Sequence, residues 1–425
     1  MISAERIIGS SEQDGLTRTD IESNGLRAAT LKLLAYCRSN DWAGYDPYDA
    51  LNSRVFQALP FLDFRLARLF LTQANKRSPI NLRPLLLVPK TQNPKGMALF
   101  LASLLKLSRA GVLDREEDLV GMGDRLLALR SDDTPYSCWG YNFSWQTRFE
   151  LVPRGSPNII CTTFAANALL DLYEKHPEPR FLEAAVSACD FILEVLHWRP
   201  TATESCFSYT PLWKAEVHNA SLLGAALLCR VARISGEKKF IEPALEAARY
   251  SARRQHADGA WDYGESDSPS QRWKDNFHTG YNLCAFRRIA GDTGVSDFEP
   301  NVRLGFQFYR DHFFREDGAP RYFHNSTYPI DVHCVAQSVI TLYALQDLAP
   351  DNLTLAESVT KWAMANMWND KKGYFYCLKN PSYTVKIPYM RWAQAWMLLG
   401  LATILDGPAN SALPFPTAAG NGGSR

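Results

Sequence analysis

The sequence lacks any hydrophobic run long enough to cross a bilayer. Its most apolar stretch, Ala220 to Leu228, is soon broken by Arg230 and Arg233, well short of the roughly eighteen to twenty apolar residues a spanning helix needs. The opening MISAERIIGSSEQDGL has no signal-peptide core, because Glu5 and Glu12 interrupt it. The nine cysteines include no C-x-x-C pair, and Cys189, Cys229 and Cys284 fall inside helical patterns. Buried, reduced thiols fit that distribution better than a disulfide framework. Neither sign of charge dominates: 46 basic residues against 45 acidic ones leave a net charge of +1, without a basic run. That balance argues against a nucleic-acid partner or a general membrane-surface binder. Together these absences predict a cytoplasmic protein with no integral membrane segment.

What the sequence does have is a repeat. From residue 97 onward two kinds of helical segment alternate. One kind, as in HNASLLGAALLCRVARISG from His218, is apolar on nearly every side and must be buried all round. The other carries a single polar stripe, as in RFLEAAVSACDFILEVL, where Arg180, Glu183, Ser187, Asp190 and Glu194 recur every three or four residues. Buried helices begin near Met97, Thr162, His218, His278, His333 and Arg391, the last intervals being 55 to 60 residues. A helical hairpin of that length, repeated, makes a solenoid or a closed ring, and six buried helices suit closure. The expectation is an all-α protein, an (α/α)6 toroid over residues 25–406, between disordered segments at 1–24 and 407–425. Residues 26–38 and 65–76 both read as helices, and either could pair with the helix at 97.

Connections from inner to outer helix are short, and those from outer to inner helix are long. The long ones therefore share one face, where the inner helices present their N-termini, and long structured loops tend to carry function. The ligand pocket is expected on the face bearing 131–161, 256–277 and 314–330. Aromatics concentrate there, including Trp139, Trp145, Trp261, Tyr263 and Tyr328, and such faces stack on sugar rings or line isoprenoid pockets. His218, His278 and His333 each stand at the entry of an inner helix, converging on a central cavity as candidate acids, bases or ligands. Asp275 and Asp331 lie just upstream of two of them, as acid–base candidates or N-caps, and Glu265 joins the carboxylate candidates. Arg148, Arg391 and the adjacent Trp392 sit in aromatic sequence, where a guanidinium needs an anionic partner from the protein or from a ligand. The segment DWAGYDPYDALN, with Asp46, Tyr48 and Asp49, suits a rim loop over the ring mouth.

At DGAWDYGE, DNFHTGY and IPYMRWAQAWMLLGLA the sequence resembles the superfamily of six-hairpin toroids. That superfamily spans glycosidases, unsaturated glucuronyl hydrolases and N-acylglucosamine 2-epimerase-like isomerases. Through the D-G-x-W turn at Asp258, Gly259 and Trp261 it also resembles terpene cyclases and prenyltransferase β subunits. DPYDALN, WGYNFSWQ, HNASLLGAALL and DNFHTGY look most similar to toroid proteins encoded with bacterial exopolysaccharide biosynthesis genes. The D-x-D-D acid motif of the cyclases is missing, Asn276 and Phe277 follow Asp275 where prenyltransferases place a zinc-binding Asp-x-Cys pair, and the Cys-His-Gly zinc motif of lanthionine cyclases is absent. The resemblance thus implies a carbohydrate-active enzyme of polysaccharide biosynthesis or processing, with neither metal nor cofactor expected. Its substrate would be an oligosaccharide or sugar acid, with other polysaccharide-biosynthesis proteins as further partners. Hydrolysis would call on Asp275 with Asp331 or Glu265. Epimerisation or elimination would call on His278 and His333, with Arg391 or Arg148 holding a carboxylate. The alternatives are a non-catalytic glycan-binding scaffold and a prenyltransferase- or cyclase-like enzyme on a lipid-linked intermediate.

Overall fold

A computed structural model describes residues 18–113, 118–132, 134–147, 150–265 and 271–413, with no side-chain detail for 18–23. Thirteen main helices carry the architecture: α1 (Arg18–Ser39), α2 (Arg65–Arg77), α3 (Pro94–Arg109), α4 (Leu119–Ala128), α5 (Ile159–Lys175), α6 (Pro179–Phe191), α7 (His218–Ser235), α8 (Ile241–Arg253), α9 (Asn276–Thr293), α10 (Glu299–Phe313), α11 (Val332–Ala344), α12 (Asn352–Asn366) and α13 (Trp396–Asp406). A π-helical segment, Met390–Ala395, leads into α13.

Helix α7 shows why the inner layer forms. Fourteen of its residues are buried, including Leu222, Leu227, Leu228 and Val231, because it packs against α5, α9 and α8 at once. Each fully buried aliphatic side chain contributes about 1.5–3 kcal/mol of transfer free energy, so a Leu227→Ala cavity here is expected to cost about 2–5 kcal/mol. Its outer partner α8 turns the small residues Ala244, Ala247 and Ala248 inward and leaves Glu242 and Arg253 in water. Gly236, at φ 81°, ends α7 in the left-handed conformation that only glycine adopts without strain.

The inner helices contact one another in the order α3, α5, α7, α9, α11, α13, and α13 packs back on α3, so the ring is closed. Helices α4, α6, α8, α10 and α12 each cover the inner helix that precedes them. The sixth outer place is filled from the other end of the chain, by α1 lying against α13. Neither helix read from 26–38 or 65–76 therefore pairs with α3; its partner is α4. The sequence LVGMGDRLLA hid that helix, since Gly121 and Gly123 lower its propensity. Gly123 is small because a Cβ there would collide with Leu172 and Phe181.

Helix α1 starts at Arg18, inside the stretch expected to be disordered, and a helical turn at Pro408–Ser411 lies inside the other. The remainder of both stretches, 1–17 and 414–425, lies outside the described residues. Short two- and three-stranded ribbons stiffen the long loops, among them Ile330–Asp331 with Leu378–Lys379 and Thr384–Val385. They lie at the end where the inner helices begin.

Candidate active site

Every inner helix is entered through a residue that lies just outside it: Asn93, Asn158, Val217, Asp275, Asp331 and, for the π segment, Tyr389. Asn93, Asn158, Asp275 and Asp331 cap their helices by accepting a backbone N–H, the usual service of these residue types. Counting two residues past each entry gives Lys95, Ile160, Asn219, Phe277, His333 and Arg391. All six line one cavity of about 760 Å³ at the long-loop end of the ring. The pattern is geometric, because successive inner helices are related by rotation about the ring and the same helical position faces the axis in each.

Aromatic side chains from the loops complete the wall: Trp145, Tyr209, Tyr263, Trp273 and Tyr322. Tyr263 and Trp273 stack with ring centroids 4.4 Å apart and planes 15° from parallel, presenting a flat surface of the kind that accepts a sugar face. A second depression, of about 870 Å³, lies at the short-loop end beside Glu174, Lys175 and Arg233. The larger depression thus lies at the short-loop end, contrary to the expectation from loop length, and it is the chemistry of the lining that distinguishes the long-loop cavity. Most cations of that second depression are ion-paired within the protein. Arg230 meets Asp171 at 2.6 Å, Arg233 meets Asp292 at 2.7 Å, and Lys106 meets Asp406 at 3.2 Å. Arg288 is the arginine there with no such partner among the described residues.

In the long-loop cavity the best-placed proton-transfer group is His278. Its Nδ1 lies 2.6 Å from Asp275 Oδ2, and its side chain is 21% exposed, so the ring is oriented by a carboxylate and open to the cavity. Asp275 itself is buried, capping α9 through Oδ1 and accepting from Trp273 Nε1 at 2.9 Å. His333 is buried more deeply. Its ring stacks on Phe277 (4.4 Å) and Trp396 (4.3 Å), and its Nε2 lies 2.7 Å from the Tyr281 hydroxyl. Burial, reinforced by the nearby Lys95 and Arg391 charges, holds its pKa well below the ordinary histidine value, so the imidazole is neutral.

Lys95 supplies the floor. It is 4% exposed, and its Nζ lies 4.2 Å from the Phe164 ring centroid, 5.1 Å from Trp396 and 5.7 Å from Tyr281. No carboxylate and no hydrogen-bond acceptor pairs with it among the described residues. Burial, then the Arg391 guanidinium, brings its pKa down to about 7, while the three ring faces favour the ammonium. Arg391 is already neutralised: Asp46 takes its Nε at 2.6 Å and its Nη2 at 2.8 Å, both residues being buried. That pair, with Arg83 Nε on Asp49 at 2.6 Å, docks the DPYDALN segment onto the last inner helix and brings Tyr48 to the cavity wall.

The other sequence candidates lie elsewhere. His218 is one residue out of register with the cavity position. It turns toward α8, with Nδ1 3.1 Å from Ser251 Oγ and Nε2 3.0 Å from Glu265, so it does not line the cavity and neither does Glu265. Asp331 is spent on its own helix and on Trp392 Nε1, at 3.0 and 3.1 Å, and burial lifts its pKa to about 6. Trp139 and Trp261 are core residues, donating from Nε1 to the carbonyls of Leu126 and Ser251. Tyr328 packs against the core beside a cis peptide bond, off the cavity lining. Trp145, Tyr263 and Trp392 do line it. Arg148 lies outside the described residues. Sequence reasoning missed Lys95 and Tyr281; the signal for Lys95 was a charge two residues after the cap of an otherwise apolar helix, in N-P-K-G.

Among the described residues no three His, Cys, Asp or Glu side chains gather as a metal-ligand set. No protein-family model and no curated protein matches the chain. Solved structures match in fold. Cellobiose 2-epimerase from Bacillus thermoamylovorans superposes with a TM-score of 0.61 over 90% of this chain and 99% of its own, at 11% identity. An unsaturated glucuronyl hydrolase specific for heparin superposes at 0.58 over 89% and 95%, at 11% identity. A family 76 glycoside hydrolase from a bovine Bacteroides thetaiotaomicron strain superposes at 0.56 over 74% and 69%, at 14% identity. Identities this low speak for the fold, and with the closed ring of six hairpins they make the chain an (α/α)6 toroid.

Proposed function

We propose that this toroid is a carbohydrate-active enzyme of polysaccharide biosynthesis or processing that moves a proton on an acidic sugar, by epimerisation or elimination. The observation that carries the reading is a cavity wall that bears basic side chains and no carboxylate among the described residues. Lys76, Arg77, Lys95, Arg391, His278 and His333 line it, and no Asp or Glu does among the described residues. Hydrolysis by paired carboxylates needs two such groups flanking the scissile bond. Asp275 and Asp331 sit behind the wall, and Glu265 lies off it.

His278 suits proton transfer. Asp275 fixes its ring and stabilises the imidazolium that forms when it takes a proton from a carbon next to a carbonyl or carboxylate. Lys95 seats the anionic group, and its ammonium stabilises the negative charge that develops as the C–H bond breaks. For epimerisation His333 would return a proton to the opposite face while His278 keeps the one it took, and for elimination the His278 imidazolium would pass its proton to the departing β-oxygen. Asn219, whose buried Oδ1 has no partner among the described residues, offers an acceptor to a sugar hydroxyl. These cations and amides also set the wall apart from a purely aromatic and aliphatic isoprenoid pocket. The epimerase and the glucuronyl hydrolase among the structural matches are consistent with the reading.

The test is incubation with uronic acids, uronate disaccharides and sugar phosphates in D2O. Mass increase by one deuteron in recovered sugar, or an unsaturated product, is expected from the native protein and not from His278→Ala. Simple hydrolysis with no exchange would refute the proton-transfer reading.

A further inference from the structure

The balanced net charge conceals a segregated segment. Residues 54–90 hold seven basic residues and one acid, Asp63, whereas the whole chain carries a net charge of only +1. The same segment holds nine of the twelve large hydrophobic side chains exposed among the described residues. Phe61, Leu66, Phe70, Ile80 and Leu85 are each more than two-thirds exposed.

Helix α2 is inverted with respect to an ordinary surface helix. Its buried residues are Thr72 and Asn75, while Leu66 and Phe70, one turn apart, point outward. The neighbouring turns are tied to it or to each other. Arg68 Nη1 donates to Asp63 Oδ1 at 2.7 Å, tying the turn that carries Phe61 and Phe64 to α2. Ser53 Oγ donates to the Leu86 carbonyl at 2.7 Å, tying the start of the segment to the turn that holds Leu85 and Leu87. Arg54, Arg65, Arg77 and Lys90 are exposed among these apolar groups, with no carboxylate partner among the described residues. Helix α2 also borders the cavity, since Gln73, Lys76 and Arg77 line its mouth.

We infer that residues 54–90 form a membrane-surface docking face that seats the mouth of the cavity against an anionic lipid bilayer. Exposed aromatic and aliphatic side chains interspersed with unpaired cations match both layers of such a surface, acyl chains beneath negatively charged headgroups. No helix among the described residues is long and apolar enough to cross a membrane, so the attachment is peripheral. A protein partner would have to offer both an apolar patch and an acidic rim, whereas an anionic bilayer supplies both wherever the face lands. The inference concerns the outer rim and is independent of the chemistry proposed inside the cavity.

Co-sedimentation of the full chain with vesicles tests it. Phosphatidylcholine vesicles containing phosphatidylglycerol are expected to pellet the protein, pure phosphatidylcholine vesicles far less, and raised salt to weaken binding. Leu66→Glu with Phe70→Glu, at exposed positions where the melting temperature should not move, is expected to reduce binding at least about ten-fold. Arg54→Gln with Arg65→Gln and Lys90→Gln should remove the preference for the anionic lipid. Absence of vesicle binding by the native chain, or binding indifferent to all five substitutions, overturns the inference. So does a native dimer in sedimentation velocity that Leu66→Glu with Phe70→Glu dissolves while vesicles bind neither form, which assigns the face to a second copy.

Discussion

Two neighbouring inner helices begin with the same pair of residue types and put them to different uses. In α9 the aspartate precedes the histidine by three residues, and Asp275 reaches both the helix N–H and the His278 ring. In α11 the spacing is two, and Asp331 reaches the helix N–H and Trp392 but not the His333 ring, which turns instead to Tyr281. One residue is about 100° of helix rotation, enough to move an imidazole from beside its carboxylate to the cavity floor. The first pair is oriented and open to the cavity; the second is two buried groups, each displaced toward its neutral form. Composition does not assign a role to a motif; its phase on the helix does.

The largest expected difference between the pairs is in turnover. His278→Ala should lower the rate on an acidic sugar by about 100- to 10,000-fold with little change in melting temperature, measured by steady-state kinetics beside thermal denaturation. Equal loss of stability and rate would make His278 structural and erase the contrast. Asp275→Asn keeps the cap but removes the negative charge, so a smaller fall, of about 10- to 100-fold, is expected in kcat with KM nearly unchanged.

The charge at the floor should appear as a pH effect on binding. Lys95 must be protonated to hold an anion, and its pKa is about 7. Affinity for uronates, read by calorimetry, is therefore expected to fall as pH rises through about 7, and Lys95→Met should bind weakly with no such slope. Asp331 should act on stability instead. Its pKa is about 6 in the folded chain against 3.8 for an ordinary aspartate, so the folded state holds a proton that the unfolded state has lost. Its contribution is therefore largest below pH 3.8 and declines as pH rises to about 6. Asp331→Asn, which still caps α11, should flatten that part of the stability curve. The smallest effect is expected at His218, where Gln substitution should cost about 1–2 kcal/mol through lost buried hydrogen bonds and leave turnover intact.

The same phase argument marks what could be read in advance. The alternation of all-apolar and striped helices was plain in the sequence, because burial on every side leaves no polar face to place. The six inner helices accordingly start within a few residues of where their patterns put them, as at His218 and Asn276. Aligning them on histidine treated His218, His278 and His333 as equivalent, although they stand one, three and two residues past their entry residues. Aligning on the caps Asn93, Asn158, Asp275 and Asp331 would have brought Lys95 into view. The inverted helix α2 was read only as a helix, because periodicity reports that a stripe exists and not which way it faces.

By itself the sequence determined the all-α class, the repeat, the face bearing long loops and the identity of the groups able to carry chemistry. Those follow from local rules: helical periodicity, capping chemistry and loop length act over a few residues. Only the tertiary structure decided that α1 closes the ring against α13 and that Asp46 neutralises Arg391 from 345 residues away. It also decided that Lys95 stands without an ion-pair partner among the described residues while Glu265 is taken by His218. Charge pairing and burial depend on distances between residues remote in the chain, and ring closure is what sets those distances.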